Sequence, residues 1–474
     1  MTTGDASADA GAGAARGDRL DPAYLRMAAV LLLGMLLALL DETIVNVGVR
    51  TLTTSFDSSL ATIQWVTAGY LLAVSVAVPF SGWAVDRFGG RTMWLTSVVL
   101  FVLGSALCGI AWSAESLIAF RVVQGLGGGM VVPVVQGMLA ATAAPGLVAR
   151  AMGLISIPLV VGPVVGPVVG GLFVDLVSWR WMFFVNVPIG VAAVVLALVT
   201  LPRDRREGVG NRKLDVVGLA LLSPGFALLV HAFSTAGARG DFSAGTVPAL
   251  LGAVLLGAYV VHALRTRVEP LINVRMFGNR GFTLAAVVMF LVGAVANALL
   301  FLTPLYYQDA RDFTAVHAGL LLVPSGLVGA LGSALVGRAA VKFTARVTTS
   351  TGLLLAALGA YAYTFVGADT SQALLVVALG VTGFGIGFAI PGTMAFLYQA
   401  LGPESVARAT GALFIFNQLG GSVGIAAVAV TLQARLTAAS SAPAAFGSAY
   451  WVVVVPALIG VLAAVLPPGP GRVG

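Results

Sequence analysis

From Met27 to Val49 the chain is apolar except for Asp41, Glu42, Thr43 and Asn46, and runs of this kind recur almost to its C-terminus. Each holds about 20 residues, which at about 1.5 Å per residue is enough to cross a bilayer. Inside hydrocarbon no solvent pairs the backbone, so each run must satisfy its own N–H and C=O groups as a helix. The pattern therefore predicts an all-α polytopic membrane protein. Composition agrees: 59% of residues are hydrophobic and 9% charged, against about 25% charged in soluble domains.

Fourteen candidate spans follow one another near 27–49, 63–85, 92–112, 117–140, 151–174, 181–201, 214–234, 245–264, 281–303, 316–337, 348–366, 371–393, 408–431 and 446–466. The first 23 residues, rich in Gly, Ala and Asp, read as a disordered cytoplasmic tail, and 467–474 as a second short tail. The net charge of +7 raises the question of nucleic acid, but the basic residues sit in short loops. With the N-terminus inside, cytoplasmic segments hold 20 of the 26 Lys and Arg, external ones five, and Arg121 lies within a span. That bias puts both termini in the cytoplasm and assigns the charge to topology. Cys108, alone of its kind, excludes an internal disulfide.

A weak repeat organises the spans. Gly82-Trp-Ala-Val-Asp86-Arg87-Phe88-Gly89-Gly-Arg91 after the second span matches Gly337-Arg-Ala-Ala-Val341-Lys342-Phe343-Thr-Ala-Arg346 after the tenth. Aligning them pairs spans one to six with nine to fourteen. This gives a six-helix bundle over 24–201, two inserted helices within 202–280 and a second bundle over 281–466. Repeated halves with a substrate site between them are a common transporter plan.

The polar residues inside the spans are the candidate functional groups. An acid in hydrocarbon costs several kcal/mol unless it is neutral, paired or facing water, which singles out Asp41, with Glu42 beside it as a second candidate. Arg121, in Arg121-Val-Val-Gln124-Gly125, lies about 9 Å below the outer surface and Asp41 about 13 Å. The depths suit pairing if the helices are neighbours; otherwise Arg121 snorkels to the headgroups. The string Gly82 to Arg91, with Asp86, Arg87 and Gly89, reads as a cytoplasmic latch or as a tight turn. Gly162-Pro163-Val-Val-Gly166-Pro167-Val-Val-Gly170-Gly171 repeats glycine every fourth residue, a smooth helix face that controls leakage between halves or simply packs. Trp179 and Trp181 read as belt residues at the external interface. Gln124, Asn186, Asn297, Gln399, Asn417 and Gln418 are neutral polar groups that either glue helices or touch substrate.

Soluble-type chemistry is missing from the pattern. There is no Gly-Lys-Ser/Thr string for nucleotide phosphates, and His231, His262 and His317 lack metal-ligand spacing. No cofactor or metal is expected, and a membrane-embedded enzyme would need interfacial His, Asp or Ser clusters that the chain does not offer.

Taken together, these strings resemble the major facilitator superfamily, and within it the fourteen-helix drug:proton antiporters. The first-helix pattern of that family matches residues 40–47 and departs at Gly48, Val49 and Arg50. Its loop signature matches Gly82 to Arg91, its Arg-x-x-Gln-Gly signature matches Arg121 to Gly125, and its antiporter signature matches 162–171. The resemblance implies two bundles plus two inserted helices, protons carried by Asp41 with help from Arg121, and small drug-like substrates, often cationic. It implies a protein of the bacterial cytoplasmic membrane, and the expected working unit is a monomer. Val341 stands where the second-half loop signature has an acid, so a latch there is weaker. The expected activity is proton-driven export by alternating access, with proton-coupled uptake of a metabolite as the alternative.

Overall fold

The computed structural model describes residues 21–143, 147, 154–204, 214–239, 242–268, 270–342, 344–367, 370–400, 403–438 and 441–466, and every regular element among them is helical. The far N-terminal residues, the tail 467–474 and the basic string Arg205, Arg206, Arg212 and Lys213 lie outside them. So do the side chains of 337–343, with Val341 and Lys342, and of Gln399.

Helix α1 (Pro22–Val47) starts inside the stretch expected to be tail. The Asp21 carboxylate accepts from Ala23 N at 3.3 Å, and Pro22 fills the first turn, where a missing N–H costs nothing. Gly48 interrupts the helix, and the short α2 (Val49–Ser55) carries Arg50. Next come α3 (Leu60–Phe88), α4 (Gly90–Gly109), α5 (Ala114–Thr142) and α6 (Ser156–Leu176). The sixth expected span is split at Val185 into α7 (Trp181–Phe184) and α8 (Asn186–Thr200). The insert is α9 (Val216–Arg239) and α10 (Phe242–Arg265). The second half holds α11 (Arg280–Leu305), which runs on into a π turn at Tyr306–Ala310, then α12 (Ala315–Lys342) and α13 (Ala345–Ala362). It closes with α14 (Gln372–Ala400), α15 (Pro403–Thr437) and α16 (Ala442–Val465).

Among the described residues, twelve helices are long and apolar enough to cross a membrane. The other two expected spans are helical but fall outside that set. In α6 the apolar segment is the shorter Val161–Leu176, and α13 opens on the polar run Ala-Arg-Val-Thr-Thr-Ser-Thr.

The expected loop from Gly82 to Arg91 is almost entirely helix. Only Gly89 breaks it, at φ +90°, a conformation open to glycine. Asp204 makes this one-residue corner possible. Its carboxylate accepts from Arg91 N and Thr92 N at 2.9 Å each, capping the N-terminus of α4.

Helices α1, α3, α4, α5, α6 and α8 pack with one another, and α11 to α16 form a second group. The groups meet along two seams, α6 against α12 and α3 against α15. Helices α9 and α10 pair with each other, and α9 leans on both α15 and α3.

Candidate functional site

Toward the C-terminal end of α1, the first group of helices encloses a polar cluster. Asp41, Arg121 and Gln124 have no exposed surface and Asn186 has 1%. Arg121 Nη1 donates to Asp41 Oδ2 in a close ion pair, and to Gln124 Oε1 at 2.8 Å. Asp41 Oδ1 accepts from Gln124 Nε2 and from Asn186 Nδ2, both at 2.8 Å. The acid is thus met by three donors from α5 and α8. Arg121 is held in turn by Val66 O on α3, which accepts from its Nε at 3.0 Å. Its guanidinium lies 4.1 Å over the ring of Tyr70. Full burial rules out Arg121 snorkelling to the headgroups.

Four residues of this cluster had no assigned role in the sequence reading. Ser105 accepts from Gln124 Nε2 and Asn186 Nδ2 at 2.9 Å each and donates to Phe183 O. Cys108, one turn on, donates to Gln124 Oε1 at 3.5 Å. Tyr70 and Phe183 supply the aromatic faces. Ser105 and Cys108 are three residues apart on one face of α4, a spacing that gains meaning only once Gln124 is known to face it.

Glu42 does not join this enclosure. The adjacent side chain leaves the helix about 100° away. Glu42 is half-buried and lies near the side chain of Gln418, on α15 of the other helix group. Asn46, one turn on, donates to Glu42 O at 3.2 Å. Asn417 bonds Met289 O at 3.2 Å, a tie between α15 and α11, and Asn297 bonds Gly293 O within its own helix.

The glycines of α6 divide their work. A side chain at Gly162 would press on Leu39, one at Gly166 on Thr43, and one at Gly170 on Ile44 O at 2.6 Å. This face therefore packs on α1, flanking Asp41, and Thr43 Oγ1 donates to Gly162 O at 3.1 Å. Gly171 instead meets the other helix group, where an added carbon would lie 2.5 Å from Ala315 O and 2.6 Å from Val316 Cα. Pro167 packs on Gly319 of α12 along the same seam, while Pro163 is half-buried.

Cross-group polar contacts gather at the Gly48 end. Arg50 Nε pairs with Asp309 at 2.9 Å and Nη1 donates to Gln308 O at 2.6 Å. Gln308 Nε2 donates to Val47 O at 2.9 Å. Asp175, at the end of α6, accepts from Ala315 N and Val316 N at 3.2 and 2.7 Å, capping α12. The departure of Arg50 from the first-helix pattern thus has a structural use. At the opposite end Gly82, Asp86 and Arg87 are exposed, and space beside Gly82 is open. The carboxylate on the α4 N-terminus is that of Asp204, not Asp86; Arg91 reaches Leu198 O at 2.8 Å. Trp179 is buried against Phe56, so only the exposed Trp181 has the place of a belt residue.

The family model described as Major Facilitator Superfamily matches residues 31–425. The chain belongs to this superfamily. Its relatives there include the "Multidrug resistance protein B homolog" of Mycobacterium tuberculosis (strain ATCC 25618 / H37Rv), 36% identical over 88% of this chain and 77% of that protein. Another is the "Multidrug export protein EmrB" of Escherichia coli (strain K12), 32% identical over 84% of this chain and 78% of that one. Among solved structures, a D-xylose-proton symporter superposes at TM-score 0.68, with 15% identity, 94% of this chain and 98% of that chain covered. A bacterial homologue of the human lysosomal transporter Spinster, in an inward-facing and unoccupied conformation, gives TM-score 0.66 with 16% identity and the same coverage. These superpositions agree with the superfamily fold, and the family model with the multidrug relatives indicates a multi-pass membrane transporter.

Proposed function

We propose that this protein is a proton-coupled antiporter that exports small drug-like compounds across the bacterial cytoplasmic membrane by alternating access. The observation that carries the reading is the enclosed Asp41–Arg121–Gln124–Asn186 cluster, buried inside the first helix group within a membrane-crossing helix. A fixed ion pair at that depth is costly unless it serves a function. The export direction follows the names of the multidrug relatives. Arg50–Asp309, Gln308–Val47 and Asp175 on α12 support an arrangement closed at the external end.

On this reading the 24–201 and 281–466 bundles rock about the α6–α12 and α3–α15 seams. Residues 202–280 contribute two further membrane helices, and α6 and α13 bring the spans to fourteen. Both termini face the cytoplasm, and the monomer suffices. Gly82, Asp86, Arg87, Gly89 and Arg91 form the cytoplasmic switch that engages when that side closes. The energetics suffice: one proton crossing about 100 mV supplies roughly 2.3 kcal/mol, enough for a gradient on the order of 50-fold in a neutral substrate.

The test is a drug-susceptibility panel in a pump-deficient bacterial host. Expression should raise the tolerated concentration of at least one compound several-fold, and Asp41→Asn should remove the gain. Unchanged tolerance across the panel, or sensitisation to a compound, overturns export and favours uptake.

A further inference from the structure

We infer that Arg346 and the N-terminus of α13 bind the phosphate of an acidic phospholipid, at a place where the first bundle supplies a carboxylate of its own. The internal repeat exposes the difference. It aligns Gly82–Arg91 with Gly337–Arg346, so the start of α4 corresponds to the start of α13. In the first bundle Asp204 fills this corner. It accepts from Arg91 N, Thr92 N and Thr92 Oγ1, while the Arg91 guanidinium reaches Leu198 O on α8. Asp204 follows α8 in the string Leu201-Pro202-Arg203-Asp204. The string after α16 is Leu466-Pro467-Pro468-Gly469, with glycine at the position of the acid.

The second bundle keeps the cation without the counter-charge. Arg346 is half-buried in the first turn of α13 and has no ion-pair partner among the described residues. With Thr349, Val288, Phe396 and Ala464 it lines a crevice between α11, α13, α14 and α16. None of these four helices contains an Asp or a Glu. The positive end of the α13 dipole adds to the guanidinium instead of opposing it. The cap there is weak, since Thr344 Oγ1 accepts from Val347 N at 3.4 Å. Thr348 and Ser350 donate to carbonyls of their own helix, but the Thr349 hydroxyl, in a residue 3% exposed, has no partner. Thr349 lies one turn in from Arg346 on the same face. Its Oγ1 faces the gap beside Gly392, where an added carbon would sit 2.8 Å away. A buried hydroxyl left unbonded beneath an unpaired guanidinium calls for a ligand that serves both.

A phosphate diester has the required chemistry. It stays ionised at every working pH, its two free oxygens match the planar guanidinium, and a glycerol headgroup adds hydroxyls for Thr349. The bilayer is the source. The crevice lies at one end of a bundle whose α11, α14 and α16 are membrane-crossing helices. Beside it Val347, Leu462 and Val465 are exposed apolar side chains for acyl chains to cover. A basic pocket between membrane helices suits an acidic headgroup. Bound there, the lipid joins the first turn of α13 to the end of α16, as Asp204 joins α4 to the end of α8. The site is separate from the Asp41 cluster and does not depend on which compound is exported.

The experiment is native mass spectrometry of the purified full chain in neutral detergent, titrated with phosphatidylglycerol, phosphatidylcholine or inorganic phosphate. Wild type should bind phosphatidylglycerol at least about tenfold more tightly than phosphatidylcholine, a difference of about 1.4 kcal/mol. Arg346→Gln should bind the two lipids alike, and Arg346→Lys should keep part of the preference. Thr349→Val should weaken phosphatidylglycerol several-fold, and inorganic phosphate should not displace the lipid. A preference that survives in Arg346→Gln overturns the inference, and so does a wild type that binds both lipids equally. Displacement of the lipid by millimolar phosphate would make the occupant a soluble anion and overturn the lipid assignment. If Arg346→Gln does not fold, unchanged phosphatidylglycerol affinity in Thr349→Val overturns it.

Discussion

At the scale of single residues, adjacent acids have opposite surroundings because a helix turns about 100° between them. Asp41 faces three donors inside one bundle, and Glu42 faces Gln418 of the other. The buried pair makes a stability prediction. Asp41→Asn leaves the Arg121 guanidinium enclosed without a counter-charge, and breaking such a pair costs about 3–5 kcal/mol. The variant should unfold at clearly lower temperature in detergent, and adding Arg121→Gln should recover part of the loss. A double variant no more stable than Asp41→Asn would mean that the charges are not coupled. Depth counting along two helices made the Asp41–Arg121 encounter legible in the sequence. Asn186 was recognisable only as a polar group out of place, because its partner is 145 residues away. Ser105 and Cys108 were silent, since small polar side chains in an apolar run carry no signal until a neighbour is known.

At the scale of elements, α6 is a helix with two differently occupied faces. Gly162, Gly166 and Gly170 let α1 approach inside the bundle, whereas Gly171 and Pro167 meet α12 across the seam. The four-residue repeat identified a smooth face but not which helix would use it, because spacing is blind to partners. The distinction predicts two phenotypes from neighbouring Gly→Ala changes. Gly170→Ala puts a methyl on Ile44 O and should lower the unfolding temperature, at about 1–3 kcal/mol for overpacking. Gly171→Ala pushes on the backbone of Ala315 and Val316, so it should shift the balance between access states with a smaller effect on unfolding. Thiol labelling of a cysteine introduced at Asp309 reads that balance, and faster labelling in Gly171→Ala than in Gly170→Ala is the expected order. Equal labelling would show that both glycines serve one interface. The corner at Gly89 was legible as a tight turn, but its stabilising carboxylate, Asp204, arrives from 113 residues downstream of Arg91.

At the scale of the whole molecule, the apolar runs were sufficient to place the helices, because lipid imposes the same length and backbone pairing on each. The boundaries that moved are those set by polar contacts: α1 starts early on its Asp21 cap, and α11 continues into a π turn whose Gln308 and Asp309 bind the other bundle. What joins the two halves was not legible, because Arg50, Asp309 and Asp175 look like ordinary loop charges until the bundles are brought together. The central claim is that movement of substrate and movement of protons are one process in this chain. Its most direct measurement uses proteoliposomes with an internal pH dye and an imposed proton gradient. Ethidium should move against its own gradient only while the proton gradient persists, and its addition should drive protons in the opposite direction. Ethidium transport that continues after the proton gradient is collapsed, or protons that move in the same direction as the substrate, would contradict the account.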